Sequence, residues 1–312
     1  MPLVGAAGIG SMLGSGIIIG LSATITVWQS GLGLTDGQVG ILSGALTFAI
    51  AAGSLLAGNI TKLFGLIRSF NMMNLMYLIG AAICVLSGNF PVLLAGLIIT
   101  GFASGADLPI SLTVISHDAP NEKVSASLIA STQVFWQIGV LGSYAMAFIV
   151  SHVEGAAGAR MVFALLAVLA GIAFVWRTFS KKFKEFHAAG DEYRAAEGTK
   201  TSTEVSFASL FKGTDGKKYV SFFSCIIIFY VCWNLLANTF GQFQTYILVK
   251  ANASQSLATG CGIVLNIVGL ICGILFASAA GSKHRNKFFY VGIVIQAGAM
   301  IGIALGGGTI AM

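Results

Sequence analysis

Positive charge is missing from the start of this chain: no Lys or Arg precedes Lys62, and Asp36 is the only charged residue before it. Charged residues make up 9% of the whole and apolar residues 56%, whereas a soluble domain carries roughly 25% charged residues. That composition excludes an ordinary water-soluble globule. Prolines number four, so the apolar runs are seldom interrupted. The five cysteines (Cys84, Cys225, Cys232, Cys261, Cys272) fall inside those runs without a close CxxC pair. They read as small buried apolar side chains, not as a disulfide framework or a metal site. No basic n-region precedes the first apolar run, which is also too long for the h-region of a cleavable leader. The histidines lie at run ends (His117, His152) or in polar loops (His187, His284) and define no metal site. No Walker loop and no nucleophile–base pair stands out, which argues against ATP drive and against an enzyme; no cofactor is implied.

What the chain does have is a succession of apolar runs of membrane-spanning length. A bilayer core about 30 Å thick is crossed by roughly 20 apolar residues as a helix. Helices are forced because lipid offers no partner to free backbone groups. Nine spans are expected, at about 4–28, 37–57, 69–87, 91–115, 125–150, 159–177, 219–248, 257–281 and 288–310. The 40 glycines suit helices that pack closely in lipid. With a cytoplasmic N-terminus, the inside segments hold Lys62, Arg68, Lys123, Arg177, the eight basic residues of 178–218, Lys283, Arg285 and Lys287. The outside loops hold only Arg160 and Lys250. This asymmetry follows the positive-inside rule, so the net charge of +6 reports orientation in a cell membrane and no nucleic-acid partner.

The one long polar segment, 178–218, separates six spans (1–177) from three (219–312). Phe179, Phe183 and Phe186 share a helical face among lysines, an amphipathic pattern suited to the inner headgroup layer. Thr201 and Glu204 predict a capping box opening a second short helix that ends near Phe211. Residues 34–65 and 253–289 parallel each other: a polar outer loop, a Gly-rich span, a small-residue inner end and a short basic loop. Two such units in the same orientation form a parallel repeat about an axis along the membrane normal.

Six spans, a basic linker and a second unit starting over resemble the major facilitator superfamily of secondary transporters. Gly58-Asn-Ile-Thr-Lys62-Leu-Phe-Gly65-Leu-Ile-Arg68 keeps the two glycines of that family's loop motif but has Lys62 and Leu63 where the family has Asp and Arg. The resemblance assigns Gly58, Lys62, Gly65 and Arg68 to a gating loop. Gly101-Phe-Ala-Ser-Gly105-Ala-Asp107-Leu-Pro109, ending at His117-Asp118, is similar to the fourth span of the sugar and organic-acid symporter branches, with Leu97 where an Arg is usual and Asp118 standing where a Glu is usual. Gln133-Val-Phe-Trp136-Gln137 resembles the Gln-rich fifth span of sugar porters. The sugar-porter sequence expected after the sixth span is absent, and the family has twelve spans where this chain has about nine. The resemblance therefore implies an all-α polytopic membrane protein with an incomplete second half.

An ionised carboxylate within a span is costly, so Asp107 is a candidate for solute binding and proton coupling, with Pro109 loosening the helix beside it. The alternative is a carboxylate bonding neighbouring backbone. Gln133 and Gln137 share a face, with Trp136 adjacent. Tyr230, Asn234, Asn238 and Gln242 recur every four residues as one polar stripe on the seventh span. Amides donate and accept, which suits a hydroxyl-rich ligand; interhelical bonding is the plainer explanation. Thr24, Trp28 and Gln29 sit where a mouth would open, with Trp28 also suited to anchoring at the lipid interface. Gly16/Gly20, Gly40/Gly44 and Gly101/Gly105 are expected packing faces. The reading is a secondary transporter or facilitator for a small polar solute, a sugar first, possible proton symport included, with Asp107, Gln133, Trp136, Gln137, Asn234, Asn238 and Gln242 as its site. Two alternatives stay open: an organic-acid symporter, and a transport-incompetent relative acting as a receptor-like or partner-binding membrane protein.

Overall fold

The computed structural model describes residues 2–119, 122–153, 155–196, 216–280 and 285–310. Its helices are α1 (Pro2–Leu32), α2 (Asp36–Phe64), α3 (Leu66–Leu86), α4 (Phe90–Asp118), α5 (Glu122–Ile149), α6 (Ala157–Phe179), α7 (Lys181–Ala196), α8 (Gly216–Lys250), α9 (Gln255–Ala280) and α10 (Arg285–Ile310). Each of the nine expected spans lies on one of these helices, with ends that agree to within seven residues, the largest gap being at the end of α2 (57 expected, Phe64 observed), and α7 lies between the sixth and seventh. Among the described residues, seven helices are long and apolar enough to cross a membrane. The second linker helix expected from Thr201 to Phe211 lies outside the described residues.

Local chemistry sets the ends. Thr35 caps α2 through a reciprocal box: its hydroxyl accepts from Gln38 N at 3.2 Å, and its own N–H donates to Gln38 Oε1 at 2.9 Å. Ser254 precedes α9 and accepts from Leu257 N in the same way. Asn89 caps α4. Gly65 separates α2 from α3 at φ +84°, a backbone that side chains rarely tolerate.

The first six helices pack through glycine. A Cβ on Gly105 would fall 2.0 Å from Ile50 O, and one on Gly53 2.2 Å from Phe102 O, so α2 and α4 cross with their backbones nearly touching. Gly139 lets α5 approach Met12 of α1 in the same way. Gly16 and Gly20 seat against Leu166, and Gly101 against Leu46, as packing faces should. Gly40 and Gly44 do not: nothing lies within 4 Å of where their Cβ atoms would be. Pro109 does not interrupt α4. It removes the N–H that would bond the carbonyl of Gly105, and Ser54 of α2 donates to that carbonyl instead at 2.8 Å. The main apolar core joins Leu13, Ile17, Leu21 and Ile25 to Leu42, Leu97 and Phe163.

Several expectations are corrected here. Trp28 is fully buried with its ring edge-on to Phe163, 5.7 Å away, so it is a core side chain and not an interface anchor. Thr24 is likewise buried and bonds its own helix at Gly20 O. Of the cysteines only Cys84 is buried; Cys261 is half-buried, and Cys225, Cys232 and Cys272 lie exposed on apolar helix faces. The Phe stripe of α7 is split. Phe183 turns into the bundle against Trp176, while Phe179 and Phe186 stay exposed.

Candidate functional site

The described residues place the candidate side chains in three locations. In the first, Asp107 of α4 is buried and paired with Arg177 of α6, a residue counted from the sequence as a loop cation. Arg177 Nη1 donates to Asp107 Oδ1 at 2.6 Å, and Nη2 to Oδ2 at 3.2 Å. The remaining donors reach Ala6 O at 3.0 and 2.7 Å and Phe70 O at 3.0 Å, and Ser111 Oγ at 3.4 Å. Asn74, with its amide oxygen turned to the guanidinium, accepts from Nε and Nη1. The Phe70 ring stacks 3.8 Å from Cζ. A planar fork with five donors is the group that can satisfy so many acceptors at once. One residue thus binds α1, α3 and α4 to α6. The site has no room to spare, because a Cβ on Gly10 would fall 1.9 Å from Asp107 Oδ2. Leu97, in the place of the expected Arg on α4, is wholly buried in the core.

The second location is a cleft of about 540 Å³ between α2 and α8, lined by Gly40, Gly44, Thr47, Asn234, Asn238 and Gln242 among others. The glycines that make no packing contact form its α2 wall. The amide stripe faces into it as a bonded row: Asn238 Nδ2 donates to Asn234 Oδ1 at 2.5 Å, and Asn234 Nδ2 to Tyr230 O at 2.8 Å. Gln242 Nε2 crosses to Thr47 Oγ1 at 2.9 Å. Gln242 therefore does serve as an interhelical bond, whereas Asn234 and Asn238 bond along their own helix. Asp107, Gln133 and Gln137 do not line this cleft. Gln133 is exposed on α5; Gln137 and Trp136 are half-buried there, and the Trp136 carbonyl accepts from Ser15 Oγ of α1 at 2.7 Å.

The third location is a polar seam joining the first six helices to α8 and α9. Ser22 Oγ donates to Gly241 O at 2.9 Å, Thr26 Oγ1 to Gln255 Oε1 at 2.6 Å, and Gln255 Nε2 to Ala23 O at 2.8 Å. Ser151 and Ser256 share a bond of 2.8 Å, and Lys250 reaches Asp36 at 3.1 Å. Gln29 also donates to Asp36, at 2.6 Å. All of these lie in the half of the helices remote from α7. Nearer α7, residues 220–233 of α8 are exposed. Polar residues recurring on the ends of α1, α8 and α9 remote from α7 were the available signal for this seam, which no single span reveals by itself. The residues expected to form a gating loop sit at the other end: Gly58 and Lys62 in the last turns of α2, Gly65 at the break and Arg68 in the first turn of α3, with both basic side chains exposed.

Residues 4–312 match the Major Facilitator Superfamily. The chain is 30% identical over 292 residues to the minor myo-inositol transporter IolF of Bacillus subtilis, covering 91% of this chain and 64% of that protein. It is 26% identical over 153 residues to the D-xylose-proton symporter-like 2 of Arabidopsis thaliana, covering 48% of this chain and 30% of that one. The chain thus spans less than two thirds of the length of these relatives. Among solved structures, the partially occluded inward-open xylose transporter XylE from E. coli aligns with a TM-score of 0.67 at 14% identity, over 90% of this chain and 73% of that one.

Proposed function

The chain belongs to the Major Facilitator Superfamily, and on that premise we propose that it moves a sugar or polyol across a cell membrane by alternating access. It is a multi-pass membrane protein and not an enzyme. The observation that carries the solute class is the amide row of α8 facing an open cleft. Amides at Asn234, Asn238 and Gln242 offer paired donors and acceptors to vicinal hydroxyls, and they are the side chains proposed to hold the solute. The inositol and xylose relatives handle hydroxyl-rich solutes of this kind, by the names they carry. Gln133, Trp136 and Gln137 are assigned the opposite wall, reached when the two units, 1–177 and 219–312, rock about the 178–218 segment. An organic anion is disfavoured because the Arg177 guanidinium is matched by Asp107 and has no charge to spare for a ligand carboxylate.

In this reading the N-terminus and α7 are cytoplasmic, and the polar seam closes the outer side. The Gly58–Arg68 turn works at the inner side as the gating loop. Asp107 is the coupling carboxylate: protonating it removes the partner of a buried guanidinium, a change costly enough to drive rearrangement of α1 against α4 and α6. The test is uptake of labelled myo-inositol and xylose into proteoliposomes under a proton gradient. Wild type is expected to accumulate one of them. Asn234→Ala with Asn238→Ala should raise KM about 5- to 30-fold, the effect of losing one or two hydrogen bonds of about 1 kcal/mol each. Asp107→Asn should abolish accumulation against a gradient while leaving exchange. No uptake of any polyol or sugar by folded protein, or an unchanged KM in the double variant, overturns the assignment.

A further inference from the structure

At the inner end of α4 a second cluster of ionisable side chains stands apart from the solute path. His117 and Asp118 close α4, and His187 and Asp191 project from α7 toward them. His117 Nδ1 lies 2.7 Å from Asp118 Oδ1, and His117 Nε2 lies 3.2 Å from Asp191 Oδ1. His187 Nδ1 pairs with the other oxygen of Asp118, Oδ2. The Asp118 side chain is wholly buried, and His187 is 9% exposed. Gly190 admits the approach: a Cβ there would stand 3.0 Å from His117 Nδ1 and 3.1 Å from Asp118 Oδ1.

We propose that this cluster is a proton-dependent strap that holds α7 on the inner end of α4, closed at acidic pH and released as pH rises. The reasoning starts from the two ring nitrogens of His117, each of which faces a carboxylate. A neutral imidazole carries one N–H and one lone pair; only the imidazolium donates from both. The shorter contact, 2.7 Å to the buried Asp118 against 3.2 Å to the exposed Asp191, favours keeping the donor toward Asp118 when His117 gives up one proton to solvent. Its lone pair then faces the Asp191 carboxylate. One of the two bridges between α4 and α7 is thereby lost, and the other, His187 to Asp118, remains. The sign follows: docking is strongest where the imidazole is charged and weakens as rising pH removes its proton.

The charged groups facing His117 are Asp118 on its own helix and Asp191 on α7, and Asp118 faces His187 on α7. Apolar contacts of α7 complete its docking among the described residues. Phe183 meets Trp176 of α6 with ring centroids 5.5 Å apart and shares an apolar cluster with Ala6 and Ala7 of α1. The other charged side chains described on α7, Lys181, Lys182, Lys184, Glu185 and Glu192, are exposed. Releasing α7 would therefore uncover Phe183 and the inner end of α4, the helix that carries Asp107 about 15 Å, or ten residues, away. Proton concentration on one side of the membrane would then act on the bundle without passing through the solute cleft. The strap stands independently of any transported solute.

Hydrogen–deuterium exchange on the full chain in lipid nanodiscs tests it, read as protection factors corrected for the intrinsic pH dependence of exchange. Wild-type α7 amides are expected to lose up to about fivefold in protection between pH 5.5 and pH 8, the worth of one ion pair with an exposed partner, while α3 amides hold constant. Asp191→Asn changes an exposed side chain and leaves the core intact; it should flatten that pH response. His117→Gln should give low protection at both pH values. Equal protection of wild-type α7 at both pH values, or an undiminished pH response in Asp191→Asn, overturns the proposal.

Discussion

Removing Arg177 tests how the first six helices are held together. In Arg177→Met the apolar stem is kept, and the Asp107 carboxylate and the carbonyls of Ala6 and Phe70 lose a common donor. Both side chains of the pair are nearly inaccessible, at 0% and 5% exposure, so water cannot replace the guanidinium without opening the bundle. Breaking a buried pair by removing one partner costs about 3–5 kcal/mol. At about 2–4 °C per kcal/mol for a domain of 150–250 residues, that is roughly a 10 °C fall in Tm. Asp107→Asn is expected to cost less, because an amide oxygen still accepts from the fork. The double variant Asp107→Leu with Arg177→Met should recover the part of the loss due to the unpaired carboxylate, while the carbonyls of Ala6 and Phe70 stay without the guanidinium. Thermal unfolding in detergent, followed by tryptophan fluorescence, reads all three. If the double variant is destabilised by the sum of the single losses, the two side chains do not act as a pair and the reasoning is wrong.

Gly10→Ala should drop Tm by several degrees, because its Cβ would occupy space 1.9 Å from Asp107 Oδ2; an unchanged Tm would mean that the pair has slack. Ser54→Ala should cost about 1 kcal/mol by leaving the carbonyl freed by Pro109 without its donor, read by the same melt. Lys250→Met removes an exposed ion pair and should leave Tm nearly unchanged, while shifting accessibility of the polar seam. Ser151→Cys with Ser256→Cys, at positions whose hydroxyls lie 2.8 Å apart, should cross-link on oxidation and stop uptake until a reductant is added.

The span pattern was legible because lipid permits few backbone solutions, so a run of apolar residues is close to a statement of structure. The Thr35–Gln38 box is equally local, yet it was not singled out, and the one capping box expected, Thr201 with Glu204, lies outside the described residues. Arg177 was not legible. A cation near the end of a span reads as a loop residue, and its burial depends on Ala6, Phe70 and Asn74, which lie far away in sequence. Trp28 failed for a related reason: its position along α1 suits an interface, but its side of the helix faces Phe163. The α8 stripe was legible from its four-residue spacing, while the partner wall at Gly40 and Gly44 was mistaken for a packing face. Glycine spacing records where a backbone is bare, and whether another helix or a cleft fills that space is decided by the rest of the fold.

The most direct measurement places a single cysteine at position 238 of a variant whose five native cysteines are replaced, and follows its reaction with a charged, membrane-impermeant thiol reagent with and without polyol. The account predicts rapid labelling from the side that carries α7, slowed when the solute is present. Labelling confined to a lipid-soluble maleimide, and indifferent to solute, would contradict it.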